Sequence, residues 1–259
     1  MIETNSKIVL QGVKKAFGLK SVLNGVNLKI GRGESLVVIG GSGTGKSVLL
    51  KNILGLLTPD EGSIEIDGSS VVDLAWKERE TLLRKVGMLF QNAALFDSMS
   101  VWQNITFGLA AQKPIPENEA LEIAILKLAA VGLNADVARL TPAELSGGMR
   151  KRVGLARAIA GNPEILFFDE PTTGLDPIMS DVINELIVSC VKELGATALS
   201  ITHDMASAKK IADRIAMLHC GEIIWTGSAD QIFNSSNKYV EQFVKGRAEG
   251  PIHTEVLLP

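Results

Sequence analysis

The sequence predicts an α/β protein built on a mainly parallel sheet covered by helices. Three observations carry that reading. The apolar run Ser35–Ile39 feeds directly into Gly40-Gly41-Ser42-Gly43-Thr44-Gly45-Lys46-Ser47, a G-x-x-x-x-G-K-[ST] loop that opens an amphipathic helix. A second apolar run, Ile165-Leu-Phe-Phe, ends in the acidic pair Asp169-Glu170. Beyond it, short apolar runs alternate with helical periods, as they do where strands are joined by crossover helices.

In chain order, 7–17 and 23–30 read as strands punctuated by Gly and Asn, and Gly31-Arg-Gly33 separates them from the strand Ser35–Ile39. Behind Lys46, Leu49, Leu50, Ile53, Leu54 and Leu57 recur with helical period, and Thr58-Pro-Asp-Glu-Gly62 ends that helix. Ser63–Asp67 alternates as a half-buried strand and Lys85–Phe90 is another. From Asn92 to Ala160 the character is helical, broken at Pro114 and Pro116 and strongly periodic over Glu117–Val131. A helix is expected over 149–160, stopped by Gly161-Asn-Pro163. Strands then follow at 165–168, 197–201 and 214–219, with helices at 176–194 and 205–212. Asp176 as N-cap, Pro177 at the first position and Gly195 past the end mark the longer helix. From Lys245 periodicity fades, which suggests an extended tail.

Composition narrows the function. The 259 residues are 46% hydrophobic with a net charge of −3, enough for a core and without a global basic field for nucleic acid. Arg150-Lys-Arg152 reads as a solvated face. Cys190 and Cys220 have no metal-like spacing and read as small buried hydrophobes of a reducing compartment. No basic and apolar leader is legible at the N-terminus, and charges interrupt every stretch that might span a membrane. The expectation is a cytoplasmic protein whose membrane role comes through a partner.

The loop glycines bring backbone N–H groups to phosphate oxygens, the helix start adds its dipole, and Lys46 adds charge for the β- and γ-phosphates. Ser47 offers a hydroxyl to Mg2+. Asp169 and Glu170 sit at the C-terminal edge of a buried strand, where ligands bind in open α/β sheets. Asp169 would hold Mg2+, mostly through water. Glu170 would orient and deprotonate the attacking water, worth roughly 10²–10⁴-fold as a general base. Gln91, after its strand, is placed to sense metal and γ-phosphate, and His203, beside Asp204, to contact the γ-phosphate. Leu145-Ser146-Gly147-Gly148-Met149 precedes a helix and makes a second N-terminal anion site. One copy already has a complete phosphate cradle, so the second site makes sense over a nucleotide held by another copy.

With these motifs in this order, residues 8–244 resemble the ATP-binding subunit of ABC transporters. The resemblance implies an ABC cassette. It would have a RecA-like, mainly parallel core sheet, an antiparallel N-terminal β-subdomain and an inserted helical subdomain at about 92–160. The nucleotide-binding domain would be 1–244 and a C-terminal extension 245–259. It also implies Phe17 as the aromatic that stacks on adenine, Gly174-Leu-Asp176 as the loop after the acidic pair, and ATP with Mg2+ as ligands. The segment from Leu89 to Ile105, the LSGGM signature and Arg247-Ala-Glu-Gly-Pro251 are similar to the Mla type, the ATPases of Gram-negative phospholipid transporters. That type implies a homodimer on the cytoplasmic face of the inner membrane, held there by a permease. It also implies an MCE lipid-binding protein, a STAS-domain adaptor, and a tail that reaches the other ATPase. Ala93–Phe96 would line the groove for a permease helix. Two other functions remain open: the ATPase of a small-solute importer, such as an amino-acid system, and a soluble ABC ATPase without a permease.

Overall fold

The computed structural model describes residues 6–72 and 74–253. Strand β1 (Ser6–Phe17) and strand β2 (Lys20–Gly31) form an antiparallel hairpin in which Phe17 faces Lys20. Gly18, at φ +60°, occupies the two-residue turn that joins them. After β3 (Ser35–Ile39) and helix α1 (Lys46–Ile53), β4 (Glu61–Ile66) returns to pair with β1, and the two-residue β5 (Ser69–Ser70) completes a sheet of order β2-β1-β4-β5. Alternate residues of this sheet, among them Ile8, Leu10, Leu28, Ile30, Ile64 and Ile66, turn inward.

The core sheet collects the remaining strands. Helix α2 (Trp76–Arg84) leads into β6 (Val86–Leu89), and then come α3 (Val101–Gln112), α4 (Glu117–Ala130) and α5 (Gly147–Ala158). Strand β7 (Ile165–Asp169), α6 (Pro177–Leu194), β8 (Thr197–Thr202), α7 (Met205–Ile211), β9 (Arg214–His219), β10 (Glu222–Ser228) and α8 (Lys238–Lys245) follow. The order is β10-β9-β3-β8-β7-β6, parallel except for the edge strand β10. All five residues of β3 are buried because the strand is covered on both faces. Val37 and Ile39 join Leu166 and Phe168 in a core beneath α3–α6. Leu36 and Val38 join Ile165 and Phe167 in a second core, against α1 and the antiparallel sheet. The period of two thus assigns each residue to a layer. This arrangement brings the C-terminal ends of β3, β8 and β7 side by side.

Several expectations need correction. The helix after the signature begins at Gly147, two residues earlier than its apolar pattern suggests, because Ser146 caps it by accepting from the Met149 N–H at 3.2 Å. The tail is not extended where it is described. Gly246 closes α8 with φ +60°, and the chain folds back so that Gln242 donates to the carbonyls of Arg247, Ala248 and Ile252 and accepts from Ile252 N–H. The end of the tail, 254–259, lies outside the described residues. Cys190 is buried, but Cys220 is exposed in the β9–β10 turn. Among the described residues no helix is long and apolar enough to cross a membrane.

Candidate active site

A cleft of about 930 Å³ opens at the carboxyl edge of the core sheet. Its walls include the 41–48 loop and helix start, Phe17, Gln91, Glu170 and His203. The loop is tight. A Cβ on Gly40 would lie 2.4 Å from Leu218 O, and one on Gly45 would lie 2.9 Å from Val22 O, so both must be glycine. Gly45 also sits at φ +104° as the N-cap of α1 and supplies no side-chain cap, which leaves the first-turn N–H groups to a ligand. Lys46 is buried; its Nζ donates to Gly40 O (2.7 Å) and Gly41 O (3.0 Å) and lies 3.9 Å from Glu170 Oε1. Burial lowers its pKa, opposed by the Glu170 and Asp169 carboxylates.

Glu170 is the hub. It follows β7 with φ +48°, and its Oε2 accepts from Thr173 Oγ1 (3.2 Å) and Thr202 Oγ1 (3.3 Å). The same oxygen lies 2.8 Å from Nδ1 of His203, whose ring is otherwise largely exposed. Asp169 is pushed above the usual carboxylate range by burial and then by the neighbouring Glu170, while Lys51, Lys46 and Lys151 pull the other way. Its Oδ1 is buried without a hydrogen-bond partner. Asp204, by contrast, is spent on capping α7 through Ala206 and Ser207.

The cleft therefore brings together Phe17, Gly41, Ser42, Gly43, Gly45, Lys46, Ser47, Gln91, Glu170 and His203. Phe17 is half-exposed, and Ser47 and Gln91 are exposed. Thr44 stays within the loop, donating to Gly41 O at 2.9 Å. Ser146, Gly147 and Gly148 do not line this cleft. Ser146 and Gly147 are exposed, and a Cβ on Gly148 would meet Met179 at 2.6 Å. Sequence reasoning missed Thr202 and Thr173, Lys151, and Phe243 of α8, which also lines the cleft. Only the position of Thr202, one residue before His203 at a strand end, could have signalled it.

The sequence comparisons meet this geometry. The family described as ABC transporter matches residues 23–173. The chain belongs to the ABC transporter family. It is the ATP-binding and ATP-hydrolysing subunit of such a transporter. A dimeric ATP-binding cassette in a post-hydrolysis state, bound to ADP and Pi, superposes with a TM-score of 0.79 at 32% identity, covering 86% of this chain and 98% of that one. Among curated relatives, the chloroplastic protein TRIGALACTOSYLDIACYLGLYCEROL 3 of Arabidopsis thaliana is 42% identical over 97% of this ABC chain and 77% of its own. The intermembrane phospholipid transport ATP-binding protein MlaF of Haemophilus influenzae is 39% identical over 91% and 89%. The methionine import ATP-binding protein MetN of Caulobacter vibrioides is also 39% identical, over 95% and 74%.

Proposed function

We propose that two copies of this chain clamp two ATP molecules with Mg2+ between them and drive a permease that moves phospholipids between the inner and outer membranes of a Gram-negative envelope. The observation that carries the chemistry is the Glu170 carboxylate, set between the Lys46 ammonium and the His203 ring at the mouth of the glycine loop. From there Glu170 takes the proton of the attacking water. Lys46 neutralises the β- and γ-phosphates, while Gln91 and His203 sense the γ-phosphate. Phe17 supports the adenine, with Phe243 as a second aromatic wall of the same cleft. The orphaned Asp169 Oδ1 suits a metal-bound water. No group of three His, Cys, Asp or Glu side chains able to hold a metal occurs among the described residues. Mg2+ would then rest on Ser47 Oγ and Gln91, on Asp169 through water, and on the nucleotide, and would supply charge neutralisation there. Ser146–Gly148, outside the chain's own cleft, serves the nucleotide of the second copy.

Residues 92–160 act as the helical subdomain within the 1–244 nucleotide-binding domain, and 245–259 as an extension toward the other ATPase. At the edge of the subdomain, Phe90, Ala94, Phe96 and Phe107 line a groove of about 460 Å³ that suits a permease helix; Ala93 belongs to the core instead, and Leu95 packs against it. That contact holds the chain on the cytoplasmic face of the inner membrane, with an MCE protein and a STAS adaptor as further companions. The likeness to MlaF, together with 89–105 and LSGGM, supports phospholipid as cargo. The equal identity to MetN favours an amino-acid importer as the second reading.

Pulling the tagged chain from membranes and measuring its companions and bound lipid tests this. A permease that carries phospholipid is expected, whereas a permease that binds methionine without lipid selects the importer. In the same complex, Glu170→Gln should bind ATP and lose roughly 10²–10⁴-fold in turnover, the scale of a general base. Wild-type turnover removes Glu170 from that role.

A further inference from the structure

Arg150-Lys-Arg152 reads from sequence as a solvated basic face, yet Lys151 is 5% exposed. Its Nζ donates to the backbone carbonyl of Gln91 and, at 3.3 Å, to that of Glu170. Six residues further along α5, Arg157 donates to the carbonyls of Ala94 (2.7 Å) and Ala93 (2.5 Å). Gly154 lies between them and lets the segment around Gln91 approach: a Cβ there would stand 2.9 Å from Leu89 Cδ1 and 3.0 Å from Ala93 Cβ. Spacings of three residues put 151, 154 and 157 on one helix face. The backbone they grip is held in an uncommon conformation. Ala93, Ala94 and Glu170 have φ of 58°, 49° and 48°, left-handed values that non-glycine residues keep only where surrounding contacts enforce them.

We infer that Lys151 is a positioning residue for ATP hydrolysis, its ammonium holding the backbones of Gln91 and Glu170 at a fixed separation and tying both to the helix that begins at Ser146. Two residues of the chain's own cleft are thereby joined through one helix to the anion site offered to the other copy. A shift at the Ser146 end must move Gln91 and Glu170 together or break these hydrogen bonds. The ammonium also has a cost that argues for a task. Burial lowers its pKa, and the Asp169 and Glu170 carboxylates offset that only in part. The proposal rests on the roles given above to Glu170 and Gln91.

Steady-state ATP hydrolysis by the full-length chain tests it with Lys151→Met, Lys151→Gln, Lys151→Arg and Glu170→Gln side by side. Methionine keeps the stem and removes every donor. It should lower kcat on the order of 10²-fold, the cost of a misplacement of about 1 Å. Its KM for ATP should stay within about threefold of the parent, because the loss is confined to the transition state. Arginine, which keeps the donors, should recover most of the rate. Glutamine has one amide that cannot span both carbonyls, and should fall about tenfold in kcat, an intermediate loss of transition-state positioning. It decides the matter if the methionine variant does not fold. Parental kcat in the methionine or glutamine variant overturns the proposal, as does an arginine variant no faster than methionine. A KM that rises as far as kcat falls also overturns it, since binding rather than positioning is then lost. Fast Lys151→Met beside slow Glu170→Gln sinks Lys151 alone, whereas fast Glu170→Gln sinks the reading of the general base.

Discussion

Two glycine-rich helix starts, at Gly45–Lys46 and at Ser146–Gly147, look alike in sequence and are built differently. The first is capped by a left-handed glycine with no side-chain acceptor, so its N–H groups are left open to a ligand. The second is finished within its own chain, with Ser146 Oγ accepting from Met149 N–H. A serine hydroxyl that accepts still has its own proton to donate. Ser146 can therefore cap its helix and offer a hydrogen bond to an anion at once. The first start shares a cleft with Glu170 and His203, while the second faces outward. A helix dipole alone makes neither one an active site. The glycine start shares its cleft with the strand ends beside it, and the serine start, in the proposed dimer, takes a nucleotide brought by another copy.

The largest effect that can break this contrast comes from Lys46→Ala. Removing a charged hydrogen-bonding group costs about 1.5–3 kcal/mol, or roughly 10–150-fold in ATP affinity. Calorimetric titration of the isolated subunit should show this loss, and should show none for Ser146→Ala. Unchanged affinity in Lys46→Ala would remove the loop from the role of cradle. Mixing sharpens the test further. A Lys46→Ala chain still offers Ser146, and a Ser146→Ala chain still offers Lys46, so a mixed pair holds one complete site. Hydrolysis by the mixture should exceed that of either variant alone. A rate no higher than the mean of the two would place Ser146 in its own chain's chemistry.

The two starts also differ in how much the sequence discloses. The Gly40–Ser47 loop, the buried runs of β3 and β7 and the capped helix α6 are legible because their signals are local: a motif, an unbroken apolar run, and an Asp-Pro start with a Gly stop. Helix α2 buries no residue and β10 is half-exposed, so neither carries a clear apolar period. Helix α8 escapes notice because it is only eight residues long, although Val240, Phe243 and Val244 pack on the main core and Gln242 ties it to the folded tail. Lys151 is the sharpest case. Its partners are backbone carbonyls 60 and 19 residues away, and a carbonyl has no signature in sequence. The placement of Ser146 outside the cleft is readable only in three dimensions, although its proposed pairing with a second copy rests on counting phosphate sites.

A middle-sized effect should come from Ser146→Ala on stability. Losing an N-cap costs about 0.5–2 kcal/mol, which lowers Tm by a few degrees, about 2–4 °C per kcal/mol for a domain near this size. A thermal melt of the nucleotide-free chain reads it directly. No change would mean that the Met149 N–H finds another acceptor, and that the serine is kept for its anion alone.

The smallest expected effect concerns Met149, which packs partly against the core from the third position of α5. Glutamine there would convert Ser146-Gly-Gly-Met149 into a capping box, its amide oxygen reaching back to the Ser146 N–H. That gain opposes the lost apolar contact, and both belong to the range of about ±0.5 kcal/mol typical of substitutions away from a tightly packed interior. Met149→Gln should thus leave the melt almost unmoved and ATP turnover within about twofold, well under 1 kcal/mol. A turnover change of tenfold at constant stability would show that the side chain at 149 meets the other copy's nucleotide. The second helix start would then be more than a serine and two glycines.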